Sequence, residues 1–406
     1  MTGSPALAWI ARGDLCAGCG GCALIAPGKI TMAENAAGYL RPVQVAELDV
    51  SEERRLKSVC PGLRLEQEAA GRTDDVLWGP LIGVYTGHAT DMELRRNASS
   101  GGVLSAVLCV LLARGQVDYV LQTAAGWPPY ANATVSSWDA AAVFEAAGSR
   151  YAPSAPLEAV AVHLDKPGKA AFVGKPCDVA ALRALARQDS RIDTKFPYMI
   201  SFFCAGVPSL GGARALLAAL GIAETDVAAL RYRGDGWPGF ATATAHDGTT
   251  ARMSYAESWG GILAGRVQFR CKICPDGVGG FADIVCADAW KCDADGYPLF
   301  EEADGTSLMI TRTATGQAIL DAAVTYGAVE VVSLDPAKIA AMQPGQVRRK
   351  TALMSRLLAL SVLWRPRPKY KGFWIIAAAR RNSLGEIIKN FFGTIWRIFS
   401  QHKLWS

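Results

Sequence analysis

The stretch CAGCGGC, residues 16–22, decides how the chain is interpreted, because it spaces Cys16, Cys19 and Cys22 three residues apart. Three thiolates at this spacing can bind three corners of one iron–sulfur cube. The fourth cysteine of such a run would stand four residues after Cys22, but the chain has Ala26 there. We therefore predict a 4Fe-4S cluster with one ligand from elsewhere, in a protein that transfers electrons.

Cys60 is the best candidate for the missing ligand. Pro61 follows it, and a proline ends the local hydrogen bonding of the chain and stiffens the turn that presents the thiolate. The intervening stretch GYLRPVQV, residues 38–45, is predicted to form a short strand.

Composition indicates a globular enzyme. With 406 residues, of which 50% are hydrophobic, the chain is long enough for two or three domains with ample core. Its eleven cysteines at metal-type spacing, without a signal-peptide pattern, fit a reducing compartment better than a disulfide framework, so we predict a cytoplasmic protein. Apolar runs such as residues 103–113 fall short of the roughly 20 residues that span a bilayer, and no transmembrane helix is predicted.

The net charge of +5 is concentrated in the C-terminal tail. Residues 361–406 hold nine Lys or Arg and one acid, Glu386, which gives +8 and leaves −3 for the other 360 residues. From Leu384 onward, apolar residues recur at helical spacing among the basic ones. Such a helix can lie peripherally on the inner face of a membrane or dock on a partner. It can also pack on its own domain, and the sequence leaves these interpretations open.

Alternating strand-like and helix-like segments predict a mixed α/β fold with at least some parallel strand pairing. The predicted strands include VYTGHAT, VDYVLQT, AAFVGK and YMISFFC, and the predicted helices include residues 103–113 and DVAALRALAR. We predict four regions: 1–78, with the cysteine run; 79–165; 166–345; and 346–406, the basic helical tail.

Two loops lie where α/β folds bind ligands. In Asn97-Ala98-Ser99-Ser100-Gly101-Gly102, small residues precede a predicted helix whose free amides can hold a phosphate, although a serine at a helix start is usually only a cap. Gly174-Lys175-Pro176-Cys177-Asp178 follows a predicted strand, at the carboxyl end where open α/β sheets bind ligands. The second loop is the better candidate.

Four further cysteines could form a second ligand set. Cys177 and Cys204 follow two predicted strands and so share one edge of the sheet, and Cys271 and Cys274 form a CxxC pair. A CxxC alone is consistent with zinc, a redox disulfide or a cluster, and beside the N-terminal run we favour a second 4Fe-4S cluster. The remaining cysteines are interpreted as buried or incidental thiols: Cys109, Cys286 and Cys292.

Several longer motifs point to one family. The sequence resembles the beta subunits of coenzyme F420-reducing hydrogenases and dehydrogenases, iron–sulfur flavoproteins that include proteins like 7-hydroxymethyl chlorophyll a reductase. Over about residues 12–345 the motifs follow the family's order: CAGCGGC with Cys60-Pro61, RNASSGGVLSAVL, FVGKPCDVAALR, FFCAGVPS, RYRGDGWPG and CKICPDGVGGFADIVCADAW. One departure is Cys286, where the family commonly has glycine, and it adds a thiol near the implied flavin.

The resemblance implies a ferredoxin-like 4Fe-4S module at residues 1–78, the family's N-terminal α/β domain at 79–165, and its C-terminal domain with a second cluster and a flavin site at 166–345. The implied ligands of the two 4Fe-4S clusters are Cys16, Cys19, Cys22 and Cys60, and Cys177, Cys204, Cys271 and Cys274. The residues implied to bind FAD are Asn97, Ser99, Ser100, Gly101, Gly102, Gly174, Lys175, Arg231 and Arg233.

The implied activity is that of an FAD-dependent oxidoreductase. It would pass electrons between 4Fe-4S clusters and FAD and reduce or oxidise a small organic substrate by hydride-type transfer. A ferredoxin-like donor or a partner subunit would supply the electrons, and no nucleic-acid partner is predicted. The alternative is a non-catalytic electron-transfer subunit that feeds a partner enzyme. A third alternative, a zinc-stabilised scaffold without redox function, is disfavoured because too many of these features would have to coincide by chance.

For several side chains the sequence leaves two interpretations open. Lys175 could bond the flavin pyrimidine or a phosphate, or be a solvated lysine on a tight loop. Arg231 and Arg233 could bind an anionic cofactor or belong to a surface turn. His88 is a candidate proton donor, with a structural role as the alternative. His163 is expected at the surface.

Overall fold

The N-terminal region of the computed structural model, which describes residues 3–293 and 298–405, consists of short elements around the cysteine run. They are α1 (Pro5–Gly13), α2 (Gly21–Ile25), β1 (Ile30–Glu34), β2 (Leu40–Gln44), α3 (Val50–Val59), β3 (Arg64–Glu66), β4 (Thr73–Asp75) and β5 (Gly79–Leu81). Helix α3 begins with a capping box, in which Asp49 accepts from backbone N–H groups and Glu52 bonds back to the Asp49 N–H. Strand β2 confirms the strand predicted from GYLRPVQV and pairs antiparallel with β1.

The middle of the chain alternates strands and helices, and each strand and helix predicted there is present. The elements are β6 (Gly83–Ala89), α4 (Met92–Asn97), α5 (Val103–Ala113), β7 (Tyr119–Ala125), β8 (Asn132–Ser137), α6 (Ala140–Glu145), α7 (Pro156–Leu164), β9 (Ala170–Val173), α8 (Pro176–Ala186), α9 (Arg191–Lys195), β10 (Tyr198–Phe202), α10 (Leu210–Ala219), β11 (Val227–Arg231), β12 (Phe240–Ala245) and β13 (Thr250–Ser254).

The remaining elements begin after a π-helical turn at Ala256–Leu263 and a 3-10 turn at Ala264–Arg266. They are α11 (Phe269–Lys272), β14 (Ile284–Asp288), β15 (Ser307–Thr311), α12 (Ala314–Thr325), β16 (Val329–Ser333), α13 (Ile339–Met342), α14 (Pro344–Thr351), α15 (Leu353–Val362), β17 (Lys369–Lys371), α16 (Ile375–Ala379) and α17 (Leu384–Trp405), with a 3-10 turn at Pro336–Lys338.

Eight strands form one sheet in the order β16-β6-β15-β14-β10-β9-β7-β8. The pairs β7–β9, β9–β10 and β10–β14 are parallel, which confirms the predicted parallel pairing, and the outer pairs are antiparallel. Strands from residues 79–165 and from residues 166–345 interleave in this order. The boundary predicted between those two regions therefore lies within one continuous sheet.

Helices cover both faces of this sheet, because successive residues of a strand point to opposite sides. On β7, Tyr119 and Leu121 join a core with α7 and α8, whereas Val120 joins a core with α5 and α12. Strands β9 and β15 consist entirely of buried residues, as expected for strands covered on both faces. The fold is a three-layer mixed α/β arrangement, as predicted. A smaller sheet, β11-β12-β13, shares a separate core with α10.

The tail folds back onto the N-terminal region. Strand β17 pairs in parallel with β3, with Lys369 opposite Arg64. The predicted amphipathic helix is α17, and its Ile398 shares a core with Leu357 and Leu360 of α15. Across residues 3–293 and 298–405, no helix is both long enough and apolar enough to cross a membrane.

Candidate cluster and cofactor site

The four cysteines of the N-terminal set line one small cavity of about 20 Å³. Cys22 lies in α2, Cys60 directly follows α3, and Cys16 and Cys19 lie in the loop between α1 and α2. The Cys19 carbonyl accepts from the Leu157 N–H at 3.0 Å, so α7 fixes this loop. The other described wall residues are apolar and include Leu7, Ile10, Ile25, Met32, Leu56 and Val59.

The four cysteines of the second set also converge, although they are distant in sequence. Cys177 lies in the first turn of α8, Cys204 follows β10, and Cys271 and Cys274 lie at the end of α11. Cys204 interacts electrostatically with each of the other three. Gly206, with a φ of +119°, lets the chain pass close to α11, since a Cβ there would lie 3.3 Å from the Cβ of Cys271.

Each set offers four cysteine sulfurs, a donor set that both a single zinc ion and a 4Fe-4S cube use. A zinc site draws its sulfur ligands to about 2.3 Å from one ion, whereas the four sulfurs around a cube bind four different irons and stand further apart. Within the two described ranges, no three His, Cys, Asp or Glu side chains are placed to hold one metal ion.

Burial controls the protonation of these thiols. It raises the pKa of Cys60 to about 12 and that of Cys204 to about 12. Burial also raises the pKa values of Cys16, Cys19, Cys22, Cys177 and Cys274. Thiols in this state are neutral at physiological pH, and metal binding would release their protons.

Arg270 lies between the two cysteine sets. Its side chain is 2% exposed, and Nη2 donates to the Pro61 carbonyl at 2.7 Å. Its charge acts on Cys16 and Cys60 of the first set and on Cys177, Cys271 and Cys274 of the second. Nε and Nη1 are buried without a hydrogen-bond partner among the described residues. This buried cation, which acts on cysteines of both sets, was not predicted from the sequence.

A larger cavity, of about 290 Å³, opens at the carboxyl ends of β9, β10 and β14. This edge is where open α/β sheets bind ligands. Five residues of the predicted cofactor set line the cavity: Ser99, Ser100, Gly102, Lys175 and Arg233. Cys204 lines it too, so the second cysteine set lies directly beside it. Cys286, the extra thiol of β14, is also in the wall.

Lys175 is a buried, paired side chain and not a solvated one. Its Nζ is 2.8 Å from Asp178 Oδ2 and donates to the Ser154 hydroxyl at 2.6 Å. Burial lowers the pKa of Lys175, but the Asp178 carboxylate and the nearby thiols of Cys177 and Cys204 together outweigh it, so the pKa is raised. The cavity therefore has a buried ammonium–carboxylate pair at the end of β9.

Arg233 forms part of a rigid cavity wall. Its Nη1 and Nη2 donate to the two carboxylate oxygens of Asp288 at 2.8 and 2.7 Å, and its guanidinium lies 4.8 Å from the ring centroids of Tyr255 and of Trp290. Burial opposes this charge, but Asp288 raises the pKa of Arg233. The surface-turn alternative is wrong for Arg233, which is 2% exposed.

The loop before α5 places a helix N-terminus at the cavity. Gly102 is the N-cap of α5 in a left-handed conformation, with a φ of +75°, and Val103, Leu104 and Ser105 of the first turn also line the cavity. Free amides at such a helix start suit an anionic group. The cap interpretation of the serines is wrong, because Ser99 accepts from the Ser149 N–H and Ser100 donates to the Ala287 carbonyl at 3.2 Å.

The other predicted residues lie outside this wall. Asn97, Gly101, Gly174 and Arg231 are not among the described residues that line the cavity. Arg231 Nη1 donates to the Asn97 carbonyl at 2.8 Å, and Nη2 donates to the Asn97 side chain. These two residues therefore hold the loop that precedes Ser99.

The two histidines have structural partners. His88 lies on β6, with Nε2 3.7 Å from Glu330 Oε2 on β16, and is not among the described residues of the cavity wall. This placement favours its structural role. His163 is buried on α7 with Nδ1 2.9 Å from the Tyr119 hydroxyl, so its expected surface position is wrong.

Sequence reasoning missed the partners that fix the charged residues of the cavity. Asp178 had a usable signal, since it stands three residues after Lys175 at the start of a helix, where such pairs meet. No sequence signal existed for Asp288, Tyr255 or Trp290. Only the folded sheet brings the end of β14 beside the residues that follow β11 and β13.

Comparison with known proteins identifies the family. Models of the coenzyme F420 hydrogenase/dehydrogenase beta subunit match this chain in two parts, the N-terminal model over residues 84–161 and the C-terminal model over residues 168–337. The chain belongs to this family. The resemblance seen in the motifs is confirmed, and the chain is a member of an oxidoreductase family of hydrogenase and dehydrogenase beta subunits.

Two relatives are subunits of such enzymes. The F subunit of the F(420)H(2) dehydrogenase of Methanosarcina mazei is 24% identical over 202 residues, which are 49% of this chain and 56% of that protein. The beta subunit of the F420-dependent formate dehydrogenase of Methanocaldococcus jannaschii is 35% identical over 123 residues, which are 30% of this chain and 32% of that protein. This family member therefore spans little more than half of the first relative and a third of the second.

A solved structure has the same fold. A chain of the F420-reducing NiFe hydrogenase complex of Methanosarcina barkeri matches with a TM-score of 0.53 and 20% identity, over 70% of this chain and 96% of that chain. At this identity the likeness confirms the fold of the family member and nothing finer.

Proposed function

We propose that this member of the F420 hydrogenase/dehydrogenase family is an iron–sulfur flavoprotein oxidoreductase with two 4Fe-4S clusters and one FAD. In this proposal Cys16, Cys19, Cys22 and Cys60 bind one cluster, and Cys177, Cys204, Cys271 and Cys274 bind the other. FAD occupies the cavity at the carboxyl ends of β9, β10 and β14. The observation that carries the proposal is the convergence of two separate sets of four thiols, the second of them beside this cavity.

The donor sets support the two clusters. Each supplies four cysteine sulfurs, those of the first set among apolar residues, and thiolates are the ordinary ligands of 4Fe-4S cubes. Arg270 supplies a buried positive charge to both sets, with two N–H groups unpaired among the described residues. Its position suits a pair of clusters that lie close to each other.

The cavity walls support a flavin with phosphate groups. Lys175, Arg233 and the N-terminus of α5 offer positive charge and free amides to anionic groups. Tyr255 and Trp290 add flat apolar surface. Because Asp178 and Asp288 hold the two cations in place, little reorganisation is needed when a ligand enters.

When bound, the clusters supply one-electron carriage and the flavin supplies the exchange between single electrons and a hydride. The positions of the two cysteine sets support an order for these groups. Cys204 belongs to the second cysteine set and to the cavity wall, whereas the first set lies beyond Arg270. The first set is therefore the proposed entrance for electrons, and the cavity is the proposed place of substrate chemistry.

We propose a small organic hydride acceptor or donor as the substrate and a partner subunit or ferredoxin-like protein as the electron source. The names of both relatives make coenzyme F420 the first compound to test. Their description as subunits supports the second candidate function, an electron-transfer subunit without its own substrate turnover. A cytoplasmic location is part of the proposal and is supported by eleven free cysteines.

Anaerobic purification followed by iron, sulfide and flavin analysis tests the proposal. We expect about eight irons and one FAD per chain, with the paramagnetic signals of reduced cubes after dithionite. Cys177→Ser should remove the second cluster alone, and Cys109→Ser, outside both sets, should retain all iron. A colourless protein with zinc would refute the proposal. Turnover of reduced F420 with an artificial acceptor, with and without candidate partner subunits, separates the enzyme from the electron-transfer subunit.

A further inference from the structure

Helix α17 leaves a continuous apolar surface uncovered. Five large apolar side chains of this helix are exposed in the folded chain, and Trp396 is 72% exposed. They recur every three or four residues and extend over about 22 Å of helix at 1.5 Å per residue. We call them the exposed stripe of α17: Leu384, Ile388, Phe392, Trp396 and Phe399.

The rest of the chain covers only part of the apolar side of α17. Thr394 and Ile398 are buried against the rest of the chain, and Phe391 and Ile395 are half-buried between them and the exposed stripe. At 100° per residue, the named apolar positions together occupy about 160° of the helix circumference, which exceeds what packing on one neighbour needs. One side of α17 therefore has a partner in α15, and the adjoining apolar side faces solvent in this chain.

Two more tryptophans of the tail are exposed. Trp364 is 92% exposed and Trp374 is 51% exposed, and both adopt left-handed backbone conformations, with φ values of +52° and +51°. Such a conformation favours glycine, so a tryptophan there has a local cost. Trp374 is held at the surface by a hydrogen bond from its Nε1 to Asp74 Oδ2 at 2.7 Å, whereas Trp364 is almost fully exposed.

The tail carries almost only positive charges. Residues 361–406 carry +8, and Glu386, their single acid, is already paired with Lys389 at 3.2 Å. Arg380 and Arg381, at the turn before α17, are basic and lie next to the start of the exposed stripe. The rest of the chain carries −3. A negatively charged surface would therefore attract the tail and repel the remainder, which orients the molecule with the tail toward that surface.

We infer that the exposed stripe of α17, with Arg380 and Arg381, binds peripherally to an anionic lipid bilayer. An amphipathic helix with tryptophan and phenylalanine on one side and basic residues beside them lies in the interface plane of such a bilayer. Tryptophan is enriched at the level of the lipid headgroups. The helix lies on the bilayer and does not span it, in agreement with its hydropathy.

A second copy of the chain fits this surface less well. A symmetric dimer would place the same surface against itself and so bring +8 beside +8. Anionic lipid supplies the opposite charge and, below its headgroups, an apolar layer for the stripe.

Vesicle flotation of the full-length holoprotein tests this inference. We expect binding to vesicles of equal parts phosphatidylcholine and phosphatidylglycerol, weak binding to phosphatidylcholine alone, and loss of binding at high salt. The double variant Phe392→Ser, Trp396→Ser should bind at least about tenfold more weakly, because it removes two large apolar anchors. Arg380→Gln and Arg381→Gln should each weaken binding about fivefold.

Trp127→Ser is the matched control, since Trp127 is 83% exposed and lies outside the tail. It should bind vesicles like the unchanged protein. Both serine variants should keep the melting temperature and the iron content, because the replaced side chains are exposed. The inference is overturned if the unchanged protein ignores anionic vesicles, if the double variant binds as well as Trp127→Ser, or if the stripe instead mediates self-association that the double variant abolishes.

Discussion

The two cysteine sets differ in what surrounds them. The first lines a cavity of about 20 Å³ with apolar walls, whereas the second adjoins a cavity of about 290 Å³ with two buried cation–carboxylate pairs. The first set is held by short local elements, and the second by the ends of β10, α8 and α11. A sealed site suits electron transfer alone, while a site next to a charged open cavity suits exchange with a ligand. In the proposed function the two sets therefore have separate tasks.

The strongest test of this contrast removes one ligand from each set. Cys60→Ser and Cys204→Ser should each lose about half of the bound iron, because a cube lacking one thiolate is not retained. Cys60→Ser should keep its flavin, whereas Cys204→Ser should lose flavin too, since Cys204 lines the cofactor cavity. Iron and flavin per chain in anaerobic preparations measure both effects. Equal flavin loss in the two variants would remove the proposed division of tasks.

Arg270→Met should affect both sets at once. The variant removes the buried cation that acts on five of the eight cysteines, and we expect the holoprotein to lose about 3 kcal/mol in free energy of unfolding and to release iron from both clusters. Denaturant unfolding and iron analysis measure this. Arg214→Met is the control, because Arg214 forms exposed ion pairs with Glu34 and Glu224 and should contribute under about 1 kcal/mol. Iron loss confined to one set would contradict the bridging position of Arg270.

Asp288→Asn should act on the cavity alone. It leaves buried Arg233 without its bidentate carboxylate, so we expect about 2 kcal/mol less stability and flavin affinity reduced about tenfold. Flavin titration of the apoprotein measures the affinity. Asp235→Asn, which breaks the exposed pair with Arg96 two residues after Arg233, should change neither value. Loss of the first cluster in Asp288→Asn would show that the two sites are coupled.

The smallest expected effect is a pH dependence near the first set. Burial, with help from Lys166 and Lys195, lowers the pKa of His163 below its ordinary value of 6.5, so the unfolded chain binds a proton that the folded chain does not. Stability should therefore fall as pH drops below about 6.5, by less than about 1 kcal/mol. His163→Gln should flatten this dependence in unfolding curves between about pH 7 and pH 5. A dependence unchanged in the variant would assign it to other groups.

The sequence predicted local features well. The helix at residues 103–113 and the strand before Lys175 depend on neighbouring residues in the sequence, and both are present. The cysteine spacing of CAGCGGC is local in the same way. Proximity of Cys177 and Cys204 was expected from the shared sheet edge, and the full second set was implied by the family resemblance. Contacts that depend on how elements cross were missed, such as Arg270 between the sets and Asp288 against Arg233. His163 was misplaced because a histidine on a short helix carries no sign of which side that helix buries.

The parallel pairing of β3 with β17 joins the N-terminal region to the C-terminal tail. Leu65 of β3 shares a small core with Tyr370 of β17 and with Phe373, which follows β17. Cleavage between α15 and β17 would strip this strand from the module that holds the first four thiols. Protease resistance of the linker at residues 363–368 should therefore report whether that module is intact, even in preparations where the metal content is unknown.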